Sequence, residues 1–149
     1  MPVNRHFPIA VPGSDSGTPR RVVRWLLAML YAAAGVLHLA MPAPFLGITP
    51  GWVPHAPLMI ALTGLAELAG AAGLTQPWSA RLRQAAGWGL AAYALCVWPA
   101  NIQHMLMDMA QPDRGLGWAY HGPRMLLQPV LIWAALWCSG AVGLRRRDA

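Results

Sequence analysis

Residues 58–74 read LMIALTGLAELAGAAGL, an apolar run broken once, near its middle, by Glu67, the one glutamate in the chain. As a helix rising about 1.5 Å per residue the run is about 25 Å long, close to the hydrocarbon thickness of a bilayer once a turn is added. The stretch therefore predicts a membrane-spanning helix over about 57–75. A carboxyl at mid-bilayer depth costs roughly 2.5–3.5 kcal/mol on insertion scales, so it is expected to face protein or a water-filled cavity rather than lipid. Thr63, Gly64, Gly70 and Ala71 lie three and four residues either side of Glu67 and share its helical face. Such a stripe of small residues lets a neighbouring backbone come close.

The composition agrees with a chain embedded in lipid. Of 149 residues, 56% are hydrophobic and 11% charged, whereas soluble domains carry about a quarter charged residues. The net charge of +6 comes from eleven arginines. They sit at the ends of apolar runs and are not interleaved with aromatic residues, which speaks against nucleic acid as a partner and for an anionic membrane surface.

Outward from the Glu67 run, the remaining chain divides into alternating apolar and polar stretches. Residues 1–19 are rich in proline, glycine and serine and are expected to form a disordered tail. Arg20, Arg21 and Arg24 then open an apolar segment, a first helix over about 22–41 that stops at Pro42 and Pro44. A twin-arginine export signal is the rival reading of this segment, but the run exceeds the roughly 7–15 apolar residues of a signal and no A-x-A site follows. Residues 42–57 hold five prolines, two glycines, Phe45, Trp52 and His55 without a charge, a composition suited to an interfacial loop. A polar link over residues 79–83 leads to a third helix over about 84–107 with Pro99 inside it, where a kink is expected. A loop over 108–117 precedes a fourth helix over about 123–144, which starts on Pro123. Residues 145–149 form a basic tail.

The expected fold is thus all-α, an integral membrane four-helix bundle over residues 20–144. Arg20, Arg21, Arg24, Arg81, Arg83 and Arg145, Arg146, Arg147 flank one side, and only Arg114 and Arg124 flank the other. By the positive-inside rule both termini are expected in the cytoplasm. In this arrangement His38, Asn101, His104, Arg124 and Gln128 fall toward the outer end and Glu67 lies deepest. The spacings of Tyr31, Ala34 and His38, of Asn101, His104 and Asp108, and of Arg124 and Gln128 each define one helical face. These faces are expected to turn away from lipid toward a common outward-opening pocket. Arg124 is the expected partner of Glu67, reached through its long side chain, helix tilt or a bridging water.

Five stretches resemble the DoxX-like family of small four-helix membrane proteins: GVLHLAMP at 35–42, TPGWVPHAP at 49–57, GLAELAGAAGL at 64–74, WPANI at 98–102 and GPRMLLQPVLIWAALW at 122–137. The resemblance covers roughly residues 22–140. It implies a cytoplasmic-membrane bundle associated with quinone-linked redox systems, whose members include oxidoreductase subunits and proteins without an assigned activity. It also implies that His38, Glu67, Asn101, Arg124 and Gln128 are the recurring polar positions, with His104 a looser match.

Three functional readings follow. The first is an accessory or quinone-interacting subunit of a membrane redox system, binding a headgroup through His38, Glu67, Asn101, His104, Arg124 and Gln128. The second is a noncatalytic scaffold or assembly factor whose polar core fixes the bundle. The third is proton or small-solute transport through Glu67, which would need a homo-oligomer. His38 and His104 also allow haem b bound between two helices. No metal site is expected, since His55 and His121 add no close ligand spacing. Cys96 and Cys138 lack a CxxC pattern and are expected to be inert buried thiols. Ser139 lacks a neighbouring base.

Overall fold

The computed structural model describes residues 17–143. The expected tail, apart from its last three residues, and the basic C-terminal segment with Arg145, Arg146 and Arg147 lie outside the described residues. All regular structure described is helical: α1 (Thr18–Ala40), α2 (Ala43–Gly47), α3 (Ala56–Thr75), α4 (Ala80–Met109) and α5 (Gly117–Ser139). The four long helices close a ring in which α1 packs on α3, α3 on α4, α4 on α5 and α5 on α1, while α2 lies against α3. Two of them, α1 and α3, are long and apolar enough to cross a membrane.

The helix ends correct several sequence-based boundaries. α1 starts at Thr18 with Pro19 in its first turn and takes in Arg20, Arg21 and Arg24. The expected link at 79–83 is instead the cap and first turn of α4: Ser79 Oγ accepts the Leu82 amide at 3.2 Å. Gln76 braces this junction, its Oε1 accepting the Ser79 amide at 2.9 Å and its Nε2 donating to the Ser79 carbonyl at 2.8 Å. Ser79→Ala should therefore cost about 1 kcal/mol through the lost cap alone, read as a fall of a few degrees in Tm in detergent. An unchanged Tm would mean that the Gln76 side-chain braces suffice.

α5 begins six residues before the expected start, so Pro123 sits inside the helix rather than in its first turn. Asp108, in the last turn of α4, causes the shift: its Oδ2 accepts the Leu116 amide at 3.1 Å and starts the helix there. α5 also ends early. Gly140 adopts φ 82°, a left-handed C-cap, and the Ala141 amide turns back to the Leu136 carbonyl at 3.0 Å. The loop expected over 42–57 contains the short helix α2, whose Phe45 ring stacks on His38 with centroids 3.9 Å apart.

Packing inverts the usual order of sizes. The interior is made mainly of Ala28, Ala71, Ala91, Ala94, Ala134 and Ala135 with Leu27, Tyr31, Leu74, Leu90 and Cys138. Large apolar side chains face outward on every long helix, among them Trp25, Leu26 and Met29 on α1, Leu62 and Leu65 on α3, Trp88 and Leu95 on α4, and Leu126, Val130 and Trp133 on α5. Small residues bring backbones together. A Cβ placed on Gly35 of α1 would lie 2.7 Å from the Gly64 carbonyl oxygen of α3, and one on Gly87 of α4 would lie 2.7 Å from the Ala135 carbonyl oxygen of α5.

Candidate functional site

Glu67 is 3% exposed, and the small residues predicted beside it, Gly64, Gly70 and Ala71, are buried on the same face. Its partners come from two other helices. Tyr93 of α4 donates its hydroxyl to Glu67 Oε1 at 2.7 Å, and His38 of α1 brings Nδ1 to 2.7 Å from Oε2. The same Nδ1 lies 2.9 Å from the Ala34 carbonyl oxygen one turn back. Its N–H is aimed there, and Oε2 lies beside the imidazole without an aligned hydrogen bond. Gly64 makes the approach of His38 feasible: a Cβ on Gly64 would meet His38 Cβ at 2.9 Å. Tyr31 closes the group with its ring edge-on to Tyr93 at 6.0 Å and its hydroxyl buried without a partner.

A second polar cluster forms at the α4–α5 hairpin. His121 Nε2 lies 2.9 Å from Asp108 Oδ2, and His104 Nε2 lies 3.6 Å from the same oxygen. Arg124 Nη1 donates to His104 Nδ1 at 2.7 Å, and its guanidinium lies over the Tyr120 ring, 5.5 Å from the centroid. Asp108 lies beyond the apolar part of α4, and the hydrogen bonds from His121 and the Leu116 amide hold its carboxyl below the usual carboxylate range. Gly115, at φ 51°, passes so close that a Cβ there would sit 2.6 Å from Asp108 Cγ.

The six sequence-predicted site residues are therefore divided. His38 and Glu67 meet, as do His104 and Arg124. Gln128 instead donates to the Ala94 carbonyl at 2.7 Å, next to the Leu95 carbonyl whose helical partner Pro99 removes. Asn101 is buried on α4, three residues before His104. Arg124 is not the partner of Glu67: it projects near the start of α5, at the hairpin end, and His104 takes it. The expected common pocket resolves into two clusters, and the grooves between helices are apolar. One, of about 320 Å³, lies between α1 and α3 along Trp25, Met29, Leu68 and Ala72, and another, of about 250 Å³, lies between α4 and α5 along Trp88, Leu95 and Ile132. Cys138 is buried as expected, but Cys96 is exposed on α4.

Sequence reasoning missed Tyr93, which sits in a run of apolar residues with no polar neighbour to mark its face. It also passed over His121 as a partner of His104 and Asp108. The available signal was an i, i+4 His–Asp pair at the end of one helix with a histidine early in the next, across a short hairpin. One ligand atom from each of these three residues lies within 4.8 Å of the others, a spacing at which they could hold a metal ion. His55, the N-cap of α3, is not in this group.

No curated protein and no solved structure matches the chain. One family model, Domain of unknown function (DUF8561), matches residues 27–139. That span runs from within α1 to the last residue of α5 and takes in every residue of both clusters, and the chain belongs to the DUF8561 family.

Proposed function

We propose that this chain is an integral four-helix bundle of the cytoplasmic membrane that serves a membrane redox system as an accessory or quinone-interacting subunit, with Glu67 at its working centre. The outward-facing large apolar side chains on all four long helices support the membrane setting, because lipid rather than water is the solvent that such a surface suits. Arg20, Arg21 and Arg24 at the start of α1 and Arg81 and Arg83 at the start of α4 lie at one end of the ring, which supports a cytoplasmic position for both termini. The resemblance to DoxX-like proteins supports the redox association.

The observation that carries the reading is the mid-helix carboxyl with a phenol and an imidazole each 2.7 Å from its oxygens. A quinone changes its proton count when it changes its electron count, and a buried Glu–Tyr–His group can donate to a headgroup carbonyl or accept its proton. The apolar groove along Trp25, Met29 and Leu68 opens between α1 and α3, the two helices that carry His38 and Glu67, and offers a path for a prenyl tail.

A scaffold or assembly role is the second reading, favoured by the mutual pairing of Glu67 with Tyr93, Arg124 with His104 and Gln128 with the backbone. One experiment separates them. Protein purified in mild detergent is extracted for bound quinone, and a reduced-minus-oxidised spectrum is recorded on the same sample. Glu67→Gln, which keeps the shape and the hydrogen bonding, should lower retained quinone about tenfold with folded yield unchanged. Wild-type protein that carries no quinone and takes none up from micelles would leave the scaffold. A Soret band would show bound haem and overturn both readings, with His38 and His104 too divided between the two clusters to hold it as a pair.

A further inference from the structure

The hairpin cluster stands apart from Glu67 and does not depend on the quinone reading. His104 and Asp108 lie one turn apart on α4, and His121 reaches them from α5, with 2.9 Å and 3.6 Å from the two Nε2 atoms to Asp108 Oδ2. In a tetrahedral zinc site with ligands at about 2.0–2.2 Å, neighbouring donor atoms sit about 3.3 Å apart. The three side chains are thus within small adjustments of a shared ion. A clasp between the two helices would need only His121 and Asp108. The cluster has more than that: His104 points at the same oxygen from beyond hydrogen-bonding distance, and His121 is fully buried with its Nδ1 unpartnered. His121 presents Nε2 to the cluster, and its Nδ1 is free to take up the ring proton when Nε2 binds an ion.

We propose that His104, Asp108 and His121 form a binding site for a divalent transition-metal ion of the zinc class. Two imidazoles and one carboxylate favour zinc, cobalt or iron over magnesium or calcium, which prefer oxygen donors throughout. The side chains of His104 and Asp108 are 15% and 19% exposed, which leaves the cluster open on one side. Arg124 sets the condition for binding. It donates to His104 Nδ1, so that nitrogen is unprotonated and the ring proton sits on Nε2. A metal on Nε2 needs the proton on Nδ1, where it ends the Arg124 contact. Metal binding therefore moves the His104 proton across the ring and displaces the guanidinium, so that Arg124 and the ion exclude each other at His104. It likewise moves the His121 proton from Nε2, where it now reaches Asp108, to the unpartnered Nδ1.

The test is a Zn²⁺ titration by calorimetry of the full chain, without an affinity tag, in mild detergent, with Co²⁺ as a spectroscopic stand-in. One equivalent should bind and Co²⁺ should give a visible d–d band. His104→Gln, whose side chain makes no hydrogen bond to Asp108, should fold normally and weaken binding at least tenfold. Asp108→Asn, whose amide oxygen can still accept the Leu116 amide, should also weaken binding at least tenfold, and Arg124→Gln should tighten it about tenfold. A monodisperse wild type that gives neither Zn²⁺ heat nor a Co²⁺ band overturns the site, as does His104→Gln binding Zn²⁺ as tightly as wild type. Unchanged affinity in Arg124→Gln overturns the exclusion between Arg124 and the ion.

Discussion

Gly35→Val should push α1 away from α3 and lower stability markedly. A Cβ at position 35 would lie 2.7 Å from the Gly64 carbonyl oxygen, 2.9 Å from Leu68 Cγ and 3.2 Å from Glu67 Cβ. The first of these neighbours is backbone inside a helix and cannot rotate aside, so the whole helix must shift. Overpacking of this kind costs about 1–3 kcal/mol, and here the displacement also draws His38 away from Glu67, since both are set by the same seam. Gly89→Val is the control, because a Cβ at Gly89 meets nothing within 4 Å. Thermal unfolding in detergent should place Gly35→Val several degrees below wild type and Gly89→Val close to it. Equal Tm values for the two variants would contradict the close α1–α3 approach.

The α3 side of that seam was legible from the sequence because it rests on local spacing. The sequence named neither Gly35 nor α1 as its partner, however, and Gly70 on the same face meets Leu90 of α4 instead. Gly64, Gly70 and Ala71 fall on the Glu67 face by helical periodicity, and nothing tertiary is needed to place them there. Partner choice was not legible in the same way. Opposite charge nominates Arg124 for Glu67, but charge carries no information on depth. Arg124 is near the start of α5, whereas Tyr93 on α4 reaches the mid-helix level of Glu67. The boundaries of α5 failed for a related reason. Pro123 is a good first-turn residue taken alone, yet the start is set by Asp108, eight residues before Leu116 and on another helix. The stop at Gly140 was written in the sequence as a C-cap glycine and was outweighed by the apolar residues that follow.

The Tyr93–Glu67 bond gives the second large effect and separates structure from function at this site. Tyr93→Phe removes one oxygen and leaves the ring packed edge-on against Tyr31, so the loss belongs to the hydroxyl alone. Glu67 Oε1 then loses its donor, and Oε2 already has no aligned hydrogen bond. An unsatisfied buried acceptor costs about 1–3 kcal/mol, more when it is charged. In a Glu67→Leu background there is no carboxyl to strand, and the Tyr93 hydroxyl is itself unpartnered, so Tyr93→Phe should there be neutral or stabilising. The double-mutant cycle should therefore return a coupling of about 1–3 kcal/mol, and equal effects of Tyr93→Phe in both backgrounds would dissolve the pair. Retained quinone, measured on the same preparations, adds what stability cannot. If the hydroxyl only fixes packing, quinone retention per folded molecule stays at the wild-type level in Tyr93→Phe. If the phenol and carboxyl together meet a headgroup, retention falls in Tyr93→Phe and Glu67→Gln alike, although Gln at position 67 can still accept from Tyr93 and should cost less stability.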